Sequence, residues 1–108
     1  MMTFEELRTA VKQIPGDIKS DAVQFYFEAA LLSAHLPDLQ RTLEAYFGPP
    51  FKSAGAPATA ESDQFSGRYG GVSTAQILYV RKREAAVDVA LLWPWTGGGR
   101  ITLKLIRG

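Results

Sequence analysis

The spacing of apolar residues changes along the chain, from a helical rhythm in the first half to strict alternation in the last third. Phe4, Leu7, Val11 and Ile14 fall 3, 4 and 3 residues apart, which lines one face of a short helix. Thr3 and Glu6 ahead of them make a capping-box pair, the hydroxyl serving one free amide and the carboxylate another. Pro15-Gly16 stops that helix, because proline lacks an amide proton and crowds the residue before it.

A second helix is predicted from Asp17 or Ser20 to about His35. Its polar residues Asp17, Asp21, Gln24, Glu28 and His35 are spaced 4, 3, 4 and 7 apart, a narrow wet stripe. The remaining surface (Ile18, Val23, Phe25, Phe27, Ala29, Ala30, Leu32, Leu36) is apolar, so this reads as the central helix of a domain. Leu36-Pro37-Asp38 then punctuates the chain. A third helix follows with Leu39, Leu43, Tyr46 and Phe47 inward and Gly48 as its stop.

Residues 48–64 hold three prolines and two glycines and are predicted to be a connecting loop. Beyond them the period drops to 2. Strands are predicted at 76–82, 85–93 and 100–106, where Val87, Val89, Leu91 and Trp93 alternate with Ala86, Asp88, Ala90 and Leu92. A turn at Arg83-Glu84 sets Val80 opposite Val87 and Leu78 opposite Val89. Arg-Glu has neither the glycine nor the asparagine of a tight primed turn, so a four-residue loop is expected there. Thr96-Gly97-Gly98-Gly99 returns the chain into the last strand, and a further strand is conceivable between Gln64 and Tyr69.

The expected fold is therefore α+β: three N-terminal helices packed on a three- or four-stranded antiparallel meander. One domain spans 1–108, with a helical part at 3–48, a Pro/Gly/Ala-rich linker at 48–64 and the sheet at 65–107. A lone meander of that length would be marginal without the helices.

Composition narrows the chemistry. The 108 residues include no cysteine, which removes disulfides, thiolate metal sites and cysteine nucleophiles. His35 is the only histidine, so zinc sites and histidine-based triads are poorly supplied, and no metal or other cofactor is expected. No apolar run approaches the roughly 18 residues of a membrane span, and no secretory signal pattern opens the sequence. A cytoplasmic protein without membrane attachment is the expectation. Ser20, Ser33, Ser66 and Ser73 lack a nucleophile-elbow context, and neither Gly70-Gly71 nor Gly97-Gly98-Gly99 matches a phosphate-binding loop. Catalysis is not expected.

Charge is uneven. Residues 1–62 carry net −3 and residues 63–108 net +4, within a total of +1. The basic residues Arg68, Arg81, Lys82, Arg83, Arg100, Lys104 and Arg107 are interleaved with Tyr69, Tyr79, Trp93 and Trp95. That mixture is one way to hold single-stranded nucleic acid, although the nearly neutral total is unusual for such a domain. Trp93-Pro94-Trp95, with Tyr69 or Phe65 nearby, is a second candidate, for a small-ligand pocket.

The leading expectation is a protein-interaction module. Alternation assigns Ile77, Tyr79, Ala90, Leu92 and Ile106 to the face away from Leu78, Val89 and Leu103. Arg81, Asp88, Thr102 and Lys104 border that set. An apolar centre with a charged rim resembles interface anatomy. The expected contact residues are Ile77, Tyr79, Arg81, Leu92, Lys104 and Ile106, on the outer face or edge of the sheet. The expected partner is a second copy, most simply in a homodimer, or another protein.

Overall fold

The computed structural model describes residues 2–23 and 26–108, and the side chains of all of these except Ala22 and Val23. Helix α1 (Phe4–Lys12) begins as the capping box predicts. Thr3 Oγ1 accepts from the Glu6 amide at 3.1 Å, and the Thr3 amide donates to Glu6 Oε1 at 2.9 Å. Phe4, Leu7 and Val11 are buried on its inner face.

The predicted central helix is instead a hairpin. β1 (Gly16–Val23) and β2 (Tyr26–Leu32) run antiparallel, and Gln24 and Phe25 of the expected helix lie outside the described residues. The cause is visible in β2. Phe27, Ala29 and Leu31 point into the core, while Glu28, Ala30 and Leu32 take the opposite face. Ala30 and Leu32 are apolar although they sit on the polar side, so the alternation is masked and Glu28 falls at a helical spacing from Asp21. A long partner decides the outcome: every residue of β2, from Tyr26 to Leu32, pairs with β5.

One turn of 3₁₀ helix (Ser33–His35) leads into α2 (Leu36–Phe47), which buries Leu39, Leu43, Tyr46 and Phe47 as expected. Gly48 ends it with φ +78°, a conformation that favours glycine. A third helix, α3 (Ala60–Ser66), lies where loop and a further strand were expected. Its signal is a second capping box: Thr59 Oγ1 accepts from the Ser62 amide at 3.1 Å, and the Thr59 amide donates to Ser62 Oγ at 2.8 Å. A 3₁₀ turn (Gly67–Tyr69) follows. The helices are thus interspersed with strands, and the sheet has five strands rather than three or four.

β3 (Ile77–Lys82), β4 (Val87–Pro94) and β5 (Arg100–Ile106) form the expected meander. The hairpin docks on its β5 edge, giving the antiparallel order β1-β2-β5-β4-β3. The β3–β4 register differs from expectation by two residues: Val80 pairs with Val89 and Leu78 with Leu91. A slip of two preserves the faces. The loop is also tighter than expected, since Arg83 and Ala86 exchange backbone hydrogen bonds at 2.7 and 3.4 Å and leave only Glu84-Ala85 between them.

The larger core lies between the sheet and helices α1 and α2. Phe27, Leu31, Tyr79, Leu92, Leu103 and Leu105 from the strands meet Leu7, Leu39 and Leu43 from the helices. An aromatic chain runs along it, with ring centroids 5.9 Å apart for Phe4–Tyr46, 5.0 Å for Tyr46–Phe47 and 5.9 Å for Phe47–Tyr79. Truncating a fully buried member such as Leu103 to alanine is worth about 2–5 kcal/mol. A smaller cluster (Val72, Leu78, Val89, Leu91, Ile106) occupies the other face, packed against Phe65 and Tyr69. Among the described residues, no helix is long and apolar enough to cross a membrane.

Candidate docking face

The fold divides the expected contact residues between two faces. Ile77, Tyr79 and Leu92 are sealed in the core beneath the helices, each less than 5 % exposed. Arg81 lies on that side too, its guanidinium 4.3 Å from the Tyr46 ring centroid and its Nη1 donating to the Tyr46 carbonyl at 3.2 Å. Ile106 is buried in the smaller cluster on the opposite face, and Lys104 also lies on that face. The outward placement of Ile77, Tyr79, Leu92 and Ile106 is therefore corrected.

Two physical reasons account for this. Alternation separates two faces but does not say which one the helices cover. The β4–β5 turn then pairs Leu92 with Leu103 and Val89 with Ile106, an odd shift from the assumed parity that exchanges Leu103 and Ile106.

The second face is covered over β3, β4 and the end of β5 that holds Lys104 and Ile106, and exposes Asp17, Leu32 and Arg100 toward the other end of β5, β2 and β1. Its cover is α3 with the turn after it, held down by side chains from the sheet. Trp93 Nε1 donates to the Gly71 carbonyl at 3.0 Å. Lys104 Nζ sits 3.9 Å from the Trp93 ring centroid and donates to the Tyr69 carbonyl at 3.1 Å. Gly70 fits here because its φ is +106° and a side chain would strike the Trp93 ring at 2.5 Å. The expected pocket residues Tyr69 and Trp93 do come together, but Lys104 fills the space on the indole. A cavity of about 380 Å³ opens next to them, lined by Phe65, Arg68, Tyr69, Val87 and Val89.

Beyond Lys104 the sheet lies open. Trp95 reaches back over this face, its Nε1 donating to Thr102 Oγ1 at 2.7 Å, and it remains 45 % exposed. Thr102 is also the cross-strand partner of Trp93, so the two indoles flank one hydroxyl. Leu32, 43 % exposed, stands opposite Arg100, and Ala30 opposite both Thr102 and Asp17. Arg100 Nη1 approaches Asp17 Oδ2 at 3.5 Å. Glu28 stands opposite Lys104 and accepts from the Tyr26 hydroxyl. Burial and that carboxylate push the Tyr26 phenol well above its ordinary range.

Leu32, Asp17 and Glu28 are missing from the expected contacts because 17–35 reads as a helix, and Arg100 because it reads only as one of the basic residues of the last strands. The signal that finds Leu32 and Glu28 is the alternation of Phe27, Ala29 and Leu31 with Glu28, Ala30 and Leu32.

The edges of the sheet are guarded. β1 is interrupted by bulges on either side of Ser20 and carries Asp17, Lys19 and Asp21. At the other edge Lys52 bridges Leu78: the Leu78 amide donates to the Lys52 carbonyl at 3.0 Å, and the Lys52 amide returns the bond at 3.1 Å. The Lys52 side chain is buried, with Nζ donating to the carbonyls of Ser53, Thr74 and Gln76 at 3.1, 3.0 and 2.6 Å. Burial pulls its ammonium below the ordinary lysine range.

His35 and Asp38 line a groove of about 540 Å³ between α1 and α2, where Asp38 Oδ1 accepts from Arg41 at 2.6 Å. Among the described residues, no group of three or more His, Asp and Glu side chains is placed to hold a metal ion. Compared with known protein families, with curated proteins and with solved structures, the chain matches none of them.

Proposed function

We propose that this chain is a protein-docking module whose contact surface is the open half of the second sheet face. The observation that carries the reading is the exposure of Trp95 and Leu32 beside Arg100 and Thr102, on one face of the sheet. Tryptophan and arginine are the residues that most often concentrate binding energy at protein interfaces. Docking by the face is favoured over docking by an edge, since bulges guard β1 and the Lys52 bridge guards β3. A cytoplasmic setting suits a chain whose fold relies on no disulfide.

We read the protein as a binder rather than a catalyst, because its best-placed carboxylates already serve the fold. Asp88, Glu44 and Glu28 each accept a tyrosine hydroxyl, from Tyr46, Tyr79 and Tyr26. Nucleic-acid binding has less to rest on, since Lys104 is engaged with Trp93 and the net charge of the chain is only +1. A small ligand at Trp93 would have to displace Lys104.

Replacing Leu32 with a photoreactive benzoyl-phenylalanine in the native cell tests the reading. Illumination is expected to give discrete adducts from position 32 and none from Glu84 in the β3–β4 turn. Absence of adducts at position 32 overturns it.

A further inference from the structure

The cavity of about 380 Å³ beside the α3 cover is built from two kinds of surface. Val87 and Val89 of β4 give it an apolar floor on the covered face of the sheet. Its wall is the helical run from α3 into the turn after it. There Arg68 and Tyr69 follow Phe65 by three and four residues, the spacing that sets side chains on one side of such a run. The volume falls within the roughly 300–1,000 Å³ of small-molecule sites.

Arg68 differs from the other arginines. Arg8, Arg41, Arg83 and Arg100 each meet a carboxylate, and Arg81 and Arg107 each lie over an aromatic ring. Among the described residues Arg68 is the one arginine with no such partner, and it lines the cavity. No carboxylate side chain lines that space, and at its rim the Gly108 carbonyl already accepts from Arg83 at 2.8 Å. Lys82, the cross-strand partner of Val87, adds a second positive charge 5.4 Å from the centroid of the Phe65 ring. The space is apolar below and positive at its edge.

We infer that this cavity binds a small apolar carboxylate. The planar guanidinium of Arg68 takes the two carboxylate oxygens, and the body of the ligand packs on Phe65, Tyr69 and the two valines. A phosphate would call for several converging donors, whereas one planar fork above an apolar floor suits a single carboxylate. Trp93 and Lys104 keep their contact, because neither lines the cavity. The inference stands apart from the docking reading, since Leu32, Trp95 and Arg100 line none of this space.

Amide shifts of the isotope-labelled chain, titrated with naphthoate and with naphthalenemethanol as its uncharged analogue, test it. Naphthoate is expected to give saturable shifts centred on residues 64–69 and 85–89, and the alcohol to bind the same residues roughly tenfold more weakly. Arg68→Gln changes an exposed side chain without a partner, so the fold should be kept. The variant is expected to hold naphthoate no better than the alcohol, with its affinity for the alcohol unchanged. Naphthoate that moves no amide in those two segments at millimolar concentration overturns the inference. So does naphthoate that binds Arg68→Gln as well as it binds the wild type.

Discussion

Arg83 forks onto the buried carboxylate of Asp88, with Nε 2.9 Å from Oδ2 and Nη2 3.0 Å from Oδ1. Asp88 is 0 % exposed, and its oxygens also accept from the Tyr46 hydroxyl at 2.5 Å and the Gly108 amide at 3.1 Å. Arg83 in turn donates to the Gly108 carbonyl at 2.8 Å, so one ion pair ties the β3–β4 turn to α2 and to the residues after β5. Breaking a buried pair leaves a desolvated charge behind. Arg83→Met is expected to lower the unfolding free energy in urea by about 3 kcal/mol, and the double change with Asp88→Leu to recover part of that. A loss below about 0.5 kcal/mol, the scale of ordinary surface substitutions, would show that the pair is dispensable.

Stability should fall at alkaline pH. Burial first, and then the hydrogen bond to Asp88, push the Tyr46 phenol up to about 12. Tyr26 and Tyr79 are raised in the same direction, by burial and by Glu28 and Glu44. The unfolded chain loses these protons from about pH 10. The stabilisation is therefore complete below pH 10 and is lost as pH rises toward the folded values. Lys52, lowered by burial, contributes with the opposite sign, but it is one group against three. Thermal melts between pH 9 and 12 should show a steady drop, smaller in Tyr46→Phe; a flat profile contradicts it.

Lys52→Met tests the strap at the β3 edge. The variant keeps the stem but leaves the carbonyls of Ser53, Thr74 and Gln76 without the ammonium. The expected cost is about 1–3 kcal/mol, with faster amide exchange confined to residues 50–56 and 74–78. Unchanged exchange there would mean that the ammonium does not hold the strap.

Gly70→Ala should cost more than Gly48→Ala. Both glycines have positive φ, but an added Cβ at Gly48 meets nothing within 4 Å, whereas at Gly70 it meets the Trp93 ring. Strain alone is worth about 1–3 kcal/mol, and displacement of the indole adds to it. Trp93 emission should shift in Gly70→Ala only. Equal costs would show that the close approach to Trp93 does not matter.

Where one element's own periodicity decides its structure, the sequence was sufficient. Helices α1 and α2, the three C-terminal strands and the glycine turn at residues 96–99 follow from capping residues, apolar spacing and turn chemistry, all local properties. Residues 17–35 read as a helix because two apolar residues on the outward side of β2, Ala30 and Leu32, hide a period of 2. Asp17, Asp21 and Glu28 looked like one helical stripe. In the fold, Asp17 and Glu28 share the open face, while Asp21 binds Arg8 and Lys12 of α1 on the other side.

What the sequence determined by itself is a cysteine-free α+β chain with two early helices, a basic C-terminal meander and tryptophans at its rim. Tertiary structure alone decided that β5 is central, that Ile77, Tyr79 and Leu92 face the helices, and that Trp95, Leu32 and Arg100 share an open surface. The physical reason is that a strand's partner and covered face are set by contacts between segments far apart in the chain. A shift of one residue in a distant register turns every side chain over without changing the local pattern.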